Sequence, residues 1–384
     1  MKKVLLLNKI AKVGTNEFDT SKYEVGENIE NPELIMVRSA NMLDSSFGPE
    51  LLAIGRAGAG VNNIPVDECA KQGIVVFNTP GANANGVKEL TIAALLLAAR
   101  DITGGIEWAK TLTEDAAKAV EKGKSKFAGI EIQGKTLGVI GLGAIGGMVA
   151  NAANSLGMNV IGYDPFVTVD AAWRLSGSVK RAESYDEVFA KSDFITVHVP
   201  ATKDTKGMFN ASSFATMKDG VRIINLSRAD LVNTADMIEA VKSGKVAKYV
   251  TDFPTDEIIG VPGIIAIPHL GASTEESEDN CAVMAARELI DYAEDGNIKN
   301  SVNYPSVSAP RNGLNRLCIM HANIPAVISS VTTAFSENGI NIEHMINGSK
   351  GENAYTIVDT IADIPSSIVD KVKGINGVIR VRSI

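Results

Sequence analysis

Short apolar runs recur along the first fifth of the chain: VLLL at 4–7, ELIMV at 33–37, LLAIG at 51–55 and IVVF at 74–77, with helical patterns between them. Such runs, without polar alternation, predict strands buried on both faces, as in a parallel sheet covered by helices. From Val87 to Arg100 the period turns helical and nearly apolar all round, predicting a buried helix that joins two lobes. A second cycle follows with TLGVIG (136–141), NVIGYD (159–164), FITVHV (194–199), GVRIINL (220–226), KYVTDF (248–253) and GIIAIP (263–268). Six strands in this rhythm predict a doubly wound α/β domain of the dinucleotide-binding kind.

A helix is predicted over about 276–295. NYPSVSAPRNG (303–313) then mixes proline, serine and glycine without periodicity and reads as a linker. Residues 315–384 read strand, helix, strand, strand, helix, strand, which is a split β-α-β, ferredoxin-like order.

With 384 residues, 45% of them hydrophobic and 21% charged, the chain has material for two or three cores. A net charge of -8 argues against general binding to nucleic acid or anionic membranes. Cys69, Cys281 and Cys318 are few, odd in number and far apart, so they read as reduced, buried thiols rather than a disulfide framework or a zinc site. No metal is expected. The opening MKKVLLLNKI is cut short by Asn8 and Lys9 and reads as a buried strand, not a leader. The longest apolar stretch, Leu90 to Ala99, is too short to span a bilayer, and a cytoplasmic protein is expected.

Gly141, Gly143 and Gly146 form G-x-G-x-x-G between a predicted strand and a predicted helix, with Ala144 and Ile145 opening that helix. The glycines permit a tight turn, close approach to a pyrophosphate and close helix packing, while the helix N-terminus supplies N–H donors. Asp164 ends the next strand, 23 residues beyond Gly141, where an acid hydrogen-bonds ribose hydroxyls and repels a 2′-phosphate. NAD is therefore expected over NADP. Three later strand ends carry Arg228, the acidic group Asp252, Asp256 and Glu257, and His269. An arginine can clamp a carboxylate, and a histidine steadied by a carboxylate can take a hydroxyl proton as hydride leaves. The set suits oxidation of a 2-hydroxy acid. His198, in TVHVP, reads as structural.

The segments VRSA (37–40), IGRAGAGVNNI (54–64), VFNTPGANANGVKEL (76–90), GKTLGVIGLGAIG (134–146), GYDP (162–165), FITVHVP (194–200) and PHLGAST (268–274) resemble the D-isomer-specific 2-hydroxyacid dehydrogenases over nearly the whole chain. The resemblance implies a Rossmann-type cofactor domain at 96–280, interleaved with a flavodoxin-like substrate domain made of 1–95 and 281–305. It implies a linker at 306–313 and a C-terminal ACT regulatory domain at 314–384. It assigns the substrate carboxylate and C2 oxygen to Arg228, acid–base catalysis to His269, and the nicotinamide side to Pro200 and Asp252. The family's third catalytic member is a glutamate. Here TDFPTDE is one residue short, so that place falls on Asp256 with Glu257 beside it, and Ala229 stands where glycine is usual.

Arg38 and Arg56, with Ser39, match family positions that bind a phosphate, and the backbone of Gly58, Ala59 and Gly60 is expected to form a nest of N–H groups for a carboxylate. The expected substrate is 3-phosphoglycerate, oxidised at C2 to 3-phosphohydroxypyruvate. The rival readings are a related dehydrogenase acting on an unphosphorylated acid and an NAD-sensing binding protein of the same fold. The C-terminal unit places His321, Asn323 and Asn341 where ACT relatives bind L-serine, but Ile324 and Ala326 replace a common arginine and glycine. A homo-oligomer, tetramer or dimer, is expected from paired ACT sheets.

Overall fold

A computed structural model describes residues 1–384, which divide into two compact units, Met1–Ala82 with Glu278–Ile384, and Asn83–Ser277.

In the first unit, strands β1 (Lys2–Leu7), β2 (Tyr23–Gly26), β3 (Leu34–Val37), β4 (Ala53–Arg56) and β5 (Val75–Phe77) form a parallel sheet in the order β2-β1-β3-β4-β5. This is the flavodoxin-like order. The sequence pattern gave no sign of β2, because only Tyr23 of its four residues is buried at this sheet edge. Val37 pairs with Arg56, which brings Arg38, one residue past β3, to the same carboxyl edge as Arg56. The helix Glu275–Asp295 packs on the sheet through Ala282, Ala285, Ala286, Leu289 and Tyr292. Its alanines allow close approach: a Cβ on Gly14 would lie 2.5 Å from Ala282.

The same unit contains β13 (Asn315–Ala322), β14 (His344–Lys350), β15 (Asn353–Thr360) and β16 (Val378–Ser383), an antiparallel sheet in the order β14-β15-β13-β16. One face carries the helices Val327–Ser336 and Ser366–Lys373 over Leu317, Ile319 and Val358. The other face contributes Cys318, Met320, Tyr355 and Ile357 to the core that holds Tyr292, Tyr304 and Val307. Arg380 donates to the carbonyls of Leu51 and Pro49, Arg382 to those of Tyr292 and Ala293. Fully buried Arg316 forms a two-pronged pair with Asp359 at 2.7 and 2.8 Å and also donates to Asp295 O and Ala309 O.

The expected linker is therefore packed chain. Val307 pairs with Ile298, and the buried Tyr304 hydroxyl donates to Ala70 O at 2.7 Å. Residues 306–313 lack periodicity because a single side chain, Val307, enters a neighbouring core while Ala309 N donates to Asn297 Oδ1, and isolated contacts of this kind leave no repeat in the sequence.

The second unit holds β6 (Thr136–Ile140), β7 (Asn159–Tyr163), β8 (Lys180–Arg181), β9 (Phe194–Val197), β10 (Val221–Asn225), β11 (Val246–Thr251) and β12 (Ile264–Ala266), all parallel, in the order β12-β11-β10-β9-β6-β7-β8. That is the doubly wound Rossmann order, with a seventh strand, the two-residue edge β8, beyond the six expected. The helix Ala84–Ala99 lies wholly in this unit, its Ala94, Leu95 and Ala98 packed with Leu137, Val139 and Ile224. The boundary expected at 95/96 consequently falls at 82/83, ahead of that helix, and the second falls at 277/278 rather than 280/281. All three cysteines are free and buried. No helix is long and apolar enough to cross a membrane.

Candidate active site

Strands β6 and β9 are neighbours but not consecutive, so the chain reverses direction across the sheet between them, and the crevice at such a switch point is where ligands bind. The glycine turn follows β6. Gly141 has φ +86°, and a Cβ there would stand 2.6 Å from His198 O. At Gly146 a Cβ would meet Gly141 O at 1.8 Å, so this residue lets the helix Ala144–Ser155 seat against the turn. Gly143 differs: nothing lies within 4 Å of the Cβ position. Its open side, at a helix start capped by no side chain, fits a pyrophosphate held by backbone N–H groups. Ala144 is exposed there and Ile145 half-buried.

Asp164 accepts from Leu142 N at 2.8 Å and Phe166 N at 2.9 Å. The carboxylate is thus fixed to the glycine turn itself, and each oxygen keeps a lone pair for a ribose hydroxyl. Exposed Pro200, past β9, accepts from Thr205 Oγ1 at 2.6 Å through its carbonyl. His198 shares a hydrogen bond with Thr196 Oγ1 at 3.0 Å, and burial lowers its pKa to about 4, so its imidazole stays neutral.

The next three strand ends bring Arg228, Asp252 and His269 together. β10 ends in Asn225, a fully buried residue whose Oδ1 accepts from Ser227 N and Arg228 N and whose Nδ2 donates to Arg228 O at 2.8 Å. These bonds shape the turn that presents the exposed Arg228 guanidinium, itself donating to Ser227 O. Asn225 escaped the sequence reading; a lone amide closing an apolar strand was the available signal.

Past β11, Asp252 is 1% exposed, and neither carboxylate oxygen has a partner of good geometry. Burial raises its pKa, opposed first by the nearby His269, then by backbone N–H groups including that of Gly271, and last by Arg228. Past β12, exposed His269 packs nearly at right angles to the Phe253 ring. Asp256 and Glu257 are exposed on the intervening loop and make no hydrogen bond to His269. Of the three acids only Asp252 is buried, and its burial is offset in part by the positive charges of His269 and Arg228.

In the first unit Arg56 is half-buried, its Nε without a partner and its guanidinium laid over Gly58, where a Cβ would stand 1.5 Å from Nη1. Only glycine fits at that position, which also has φ +147°. Ser39 N is taken by Asn8 Oδ1 and Ala59 O by Asn78 Nδ2, while Gly60 faces open space. Arg38 donates through Nη2 to Glu278 Oε1 at 2.5 Å, a partner the sequence did not suggest.

In the C-terminal module His321 is buried with both ring nitrogens engaged, Nδ1 with Ala322 O at 2.8 Å and Nε2 with Thr356 Oγ1 at 2.9 Å. Asn323 and Asn341 are exposed, donating to Gly351 O and Glu343 Oε1. Ala326 has φ +72°, a left-handed conformation suited to glycine.

Fold and site together define an NAD-dependent oxidoreductase of the 2-hydroxyacid class, and the profile of the family "D-isomer specific 2-hydroxyacid dehydrogenase, NAD binding domain" matches residues 92–271. Among curated relatives, D-3-phosphoglycerate dehydrogenase 1 of Saccharomyces cerevisiae is 33% identical, the match covering 97% of this chain and 85% of that protein. D-3-phosphoglycerate dehydrogenase of Escherichia coli K12 is 32% identical over 94% of this chain and 88% of its own. An NAD+-bound 3-phosphoglycerate dehydrogenase from Entamoeba histolytica superposes with a TM-score of 0.61 at 26% identity, covering 79% of this chain and 98% of that one. The chain belongs to the D-3-phosphoglycerate dehydrogenase family.

Proposed function

We propose that this chain oxidises D-3-phosphoglycerate at C2 to 3-phosphohydroxypyruvate, the opening step of a phosphorylated route to L-serine. The observation that carries the reading is the placement of Arg228, Asp252 and His269 at successive strand ends of a sheet whose glycine turn is shaped for a pyrophosphate. NAD bound at Gly141, Gly143, Gly146 and Asp164 supplies the hydride acceptor.

Arg228 holds the substrate carboxylate and draws electron density from the C2 oxygen. His269 accepts the hydroxyl proton as the C2–H bond gives up its electron pair, so alcohol becomes ketone with one proton on the imidazole. An acid of the loop before His269, Asp256 or Glu257, stabilises that imidazolium, and Asp252, buried with both carboxylate oxygens unpartnered, would hold the nicotinamide carboxamide. Arg38 and Arg56 bind the phosphate, with the Ser39 hydroxyl and the N–H groups of Ala59 and Gly60 completing the anion site, since Ser39 N and Gly58 N are engaged within the chain. L-serine acting at Asn323 and Asn341 of an ACT module, a homo-oligomer and a cytoplasmic location complete the reading.

The test is NADH oxidation with 3-phosphohydroxypyruvate, compared with hydroxypyruvate and pyruvate, with and without serine. Strong preference for the phosphorylated acid, lost in Arg56→Ala, is expected. Equal turnover of all three acids would reject the phosphate site, and absence of turnover would favour an NAD-sensing role.

A further inference from the structure

The geometry points to Glu278 as the charge-matching residue of the anion site: it occupies Arg38 while the site is empty and sets how much negative charge a ligand must bring to replace it. This rests on the reading of Arg38 and Arg56 as phosphate anchors.

The two arginines stand at adjacent strand ends, and the structure gives them unequal surroundings. Arg38 is bonded to Glu278 at 2.5 Å, both side chains about two-fifths exposed. Arg56 has no carboxylate partner; burial lowers its pKa, the neighbouring Cys281 thiol opposes that, and the Arg38 charge adds to the lowering. Two guanidinium groups held this way repel each other, and the Glu278 carboxylate offsets that repulsion from within the chain. Glu278 sits in the first turns of the helix Glu275–Asp295, whose alanine-lined packing against the sheet fixes where its carboxylate reaches.

The consequence is selectivity by charge. A ligand whose distal group is a carboxylate can only exchange one carboxylate for another at Arg38, and the resident one is already tethered. A phosphate dianion brings a second charge and a third oxygen, so it can bridge Arg38 and Arg56 and displace Glu278. Glu278 also moderates the affinity for free phosphate, which would otherwise compete with substrate.

The test compares wild type with Glu278→Gln, which keeps shape and loses charge, and Glu278→Asp, which keeps the charge on a side chain one methylene shorter, a gap the flexible, part-exposed Arg38 side chain can close. KM and kcat are measured for 3-phosphohydroxypyruvate and for 2-oxoglutarate, whose distal group is a carboxylate, together with inhibition by inorganic phosphate. In Glu278→Gln the KM for the phosphorylated acid should fall about fivefold, phosphate should inhibit about fivefold more strongly, and the preference over 2-oxoglutarate should narrow, as expected for removing one charge near the surface. Glu278→Asp should stay near wild type on all three. A raised or unchanged KM with unchanged phosphate inhibition in Glu278→Gln overturns the proposal, as does Glu278→Asp behaving like Gln. Arg56→Ala separates the two levels: if it leaves phosphate inhibition intact, the anion-site reading fails and the proposal with it. A silent Glu278→Gln beside a phosphate-insensitive Arg56→Ala rejects Glu278 alone.

Discussion

The imidazole of His269 stands edge-on to the ring of Phe253, centroids 4.9 Å apart and planes at 84°. Phe253 directly follows buried Asp252, so one strand end supplies both the ring packed against the imidazole and a buried carboxylate. His269→Gln should lower kcat by about 10²- to 10⁴-fold while NADH still binds, as expected for loss of a general base.

Two glycines of the cofactor turn should respond in opposite ways. Gly143→Ala adds a methyl to open space on extended backbone, so thermal stability should hold while the KM for NAD rises at least about tenfold, because the methyl stands where the pyrophosphate approaches. Gly146→Ala drives a methyl into Gly141 O, so the protein itself should be destabilised. Thermal melts with NAD titrations distinguish the two, and equal melting temperatures would refute the packing role of Gly146.

Glu288, 8% exposed, has one oxygen bonded to Asn300 and the other without a partner, and burial pushes its pKa up to about 8. Between the unfolded value of 4.5 and about 8 the folded state holds a proton that the unfolded state releases, so stability falls as pH rises through that window. The slope from this group is at most about 1.4 kcal/mol per pH unit. Glu288→Gln keeps the Asn300 contact and should flatten the decline in urea-unfolding free energy between pH 5 and pH 8. A decline of wild-type size in the variant would place its origin elsewhere.

Ala326 sits at φ +72°, ψ -7°, at the start of the helix Val327–Ser336. The left-handed conformation costs an L-residue more than glycine, so Ala326→Gly should stabilise the protein by about 1 kcal/mol despite the added freedom of the unfolded chain. The urea midpoint measures it. An unchanged or lower midpoint would mean that the turn carries no strain.

The alternating strands and helices, both sheet types, the glycine turn with Asp164, and the candidates Arg228 and His269 were legible in the sequence, because each depends on local periodicity or short spacing. The edge strands β2 and β8 were not, since short strands at a sheet margin bury too little to leave an apolar run. Asp252 is buried while Asp256 and Glu257 are exposed, because depth below the surface depends on where β11 ends against its neighbours, and the three acids are indistinguishable as letters. Glu278 reaches Arg38 across 240 residues, Tyr304 reaches Ala70 across 234, and the second face of the C-terminal sheet finds its cover on a helix outside its own module. The sequence by itself determined which elements form and which chemistry they carry, since those follow from propensity, period and motif. Tertiary structure decided which charges meet, because pairing between distant residues depends on the packed distances between elements, and no local pattern encodes those distances.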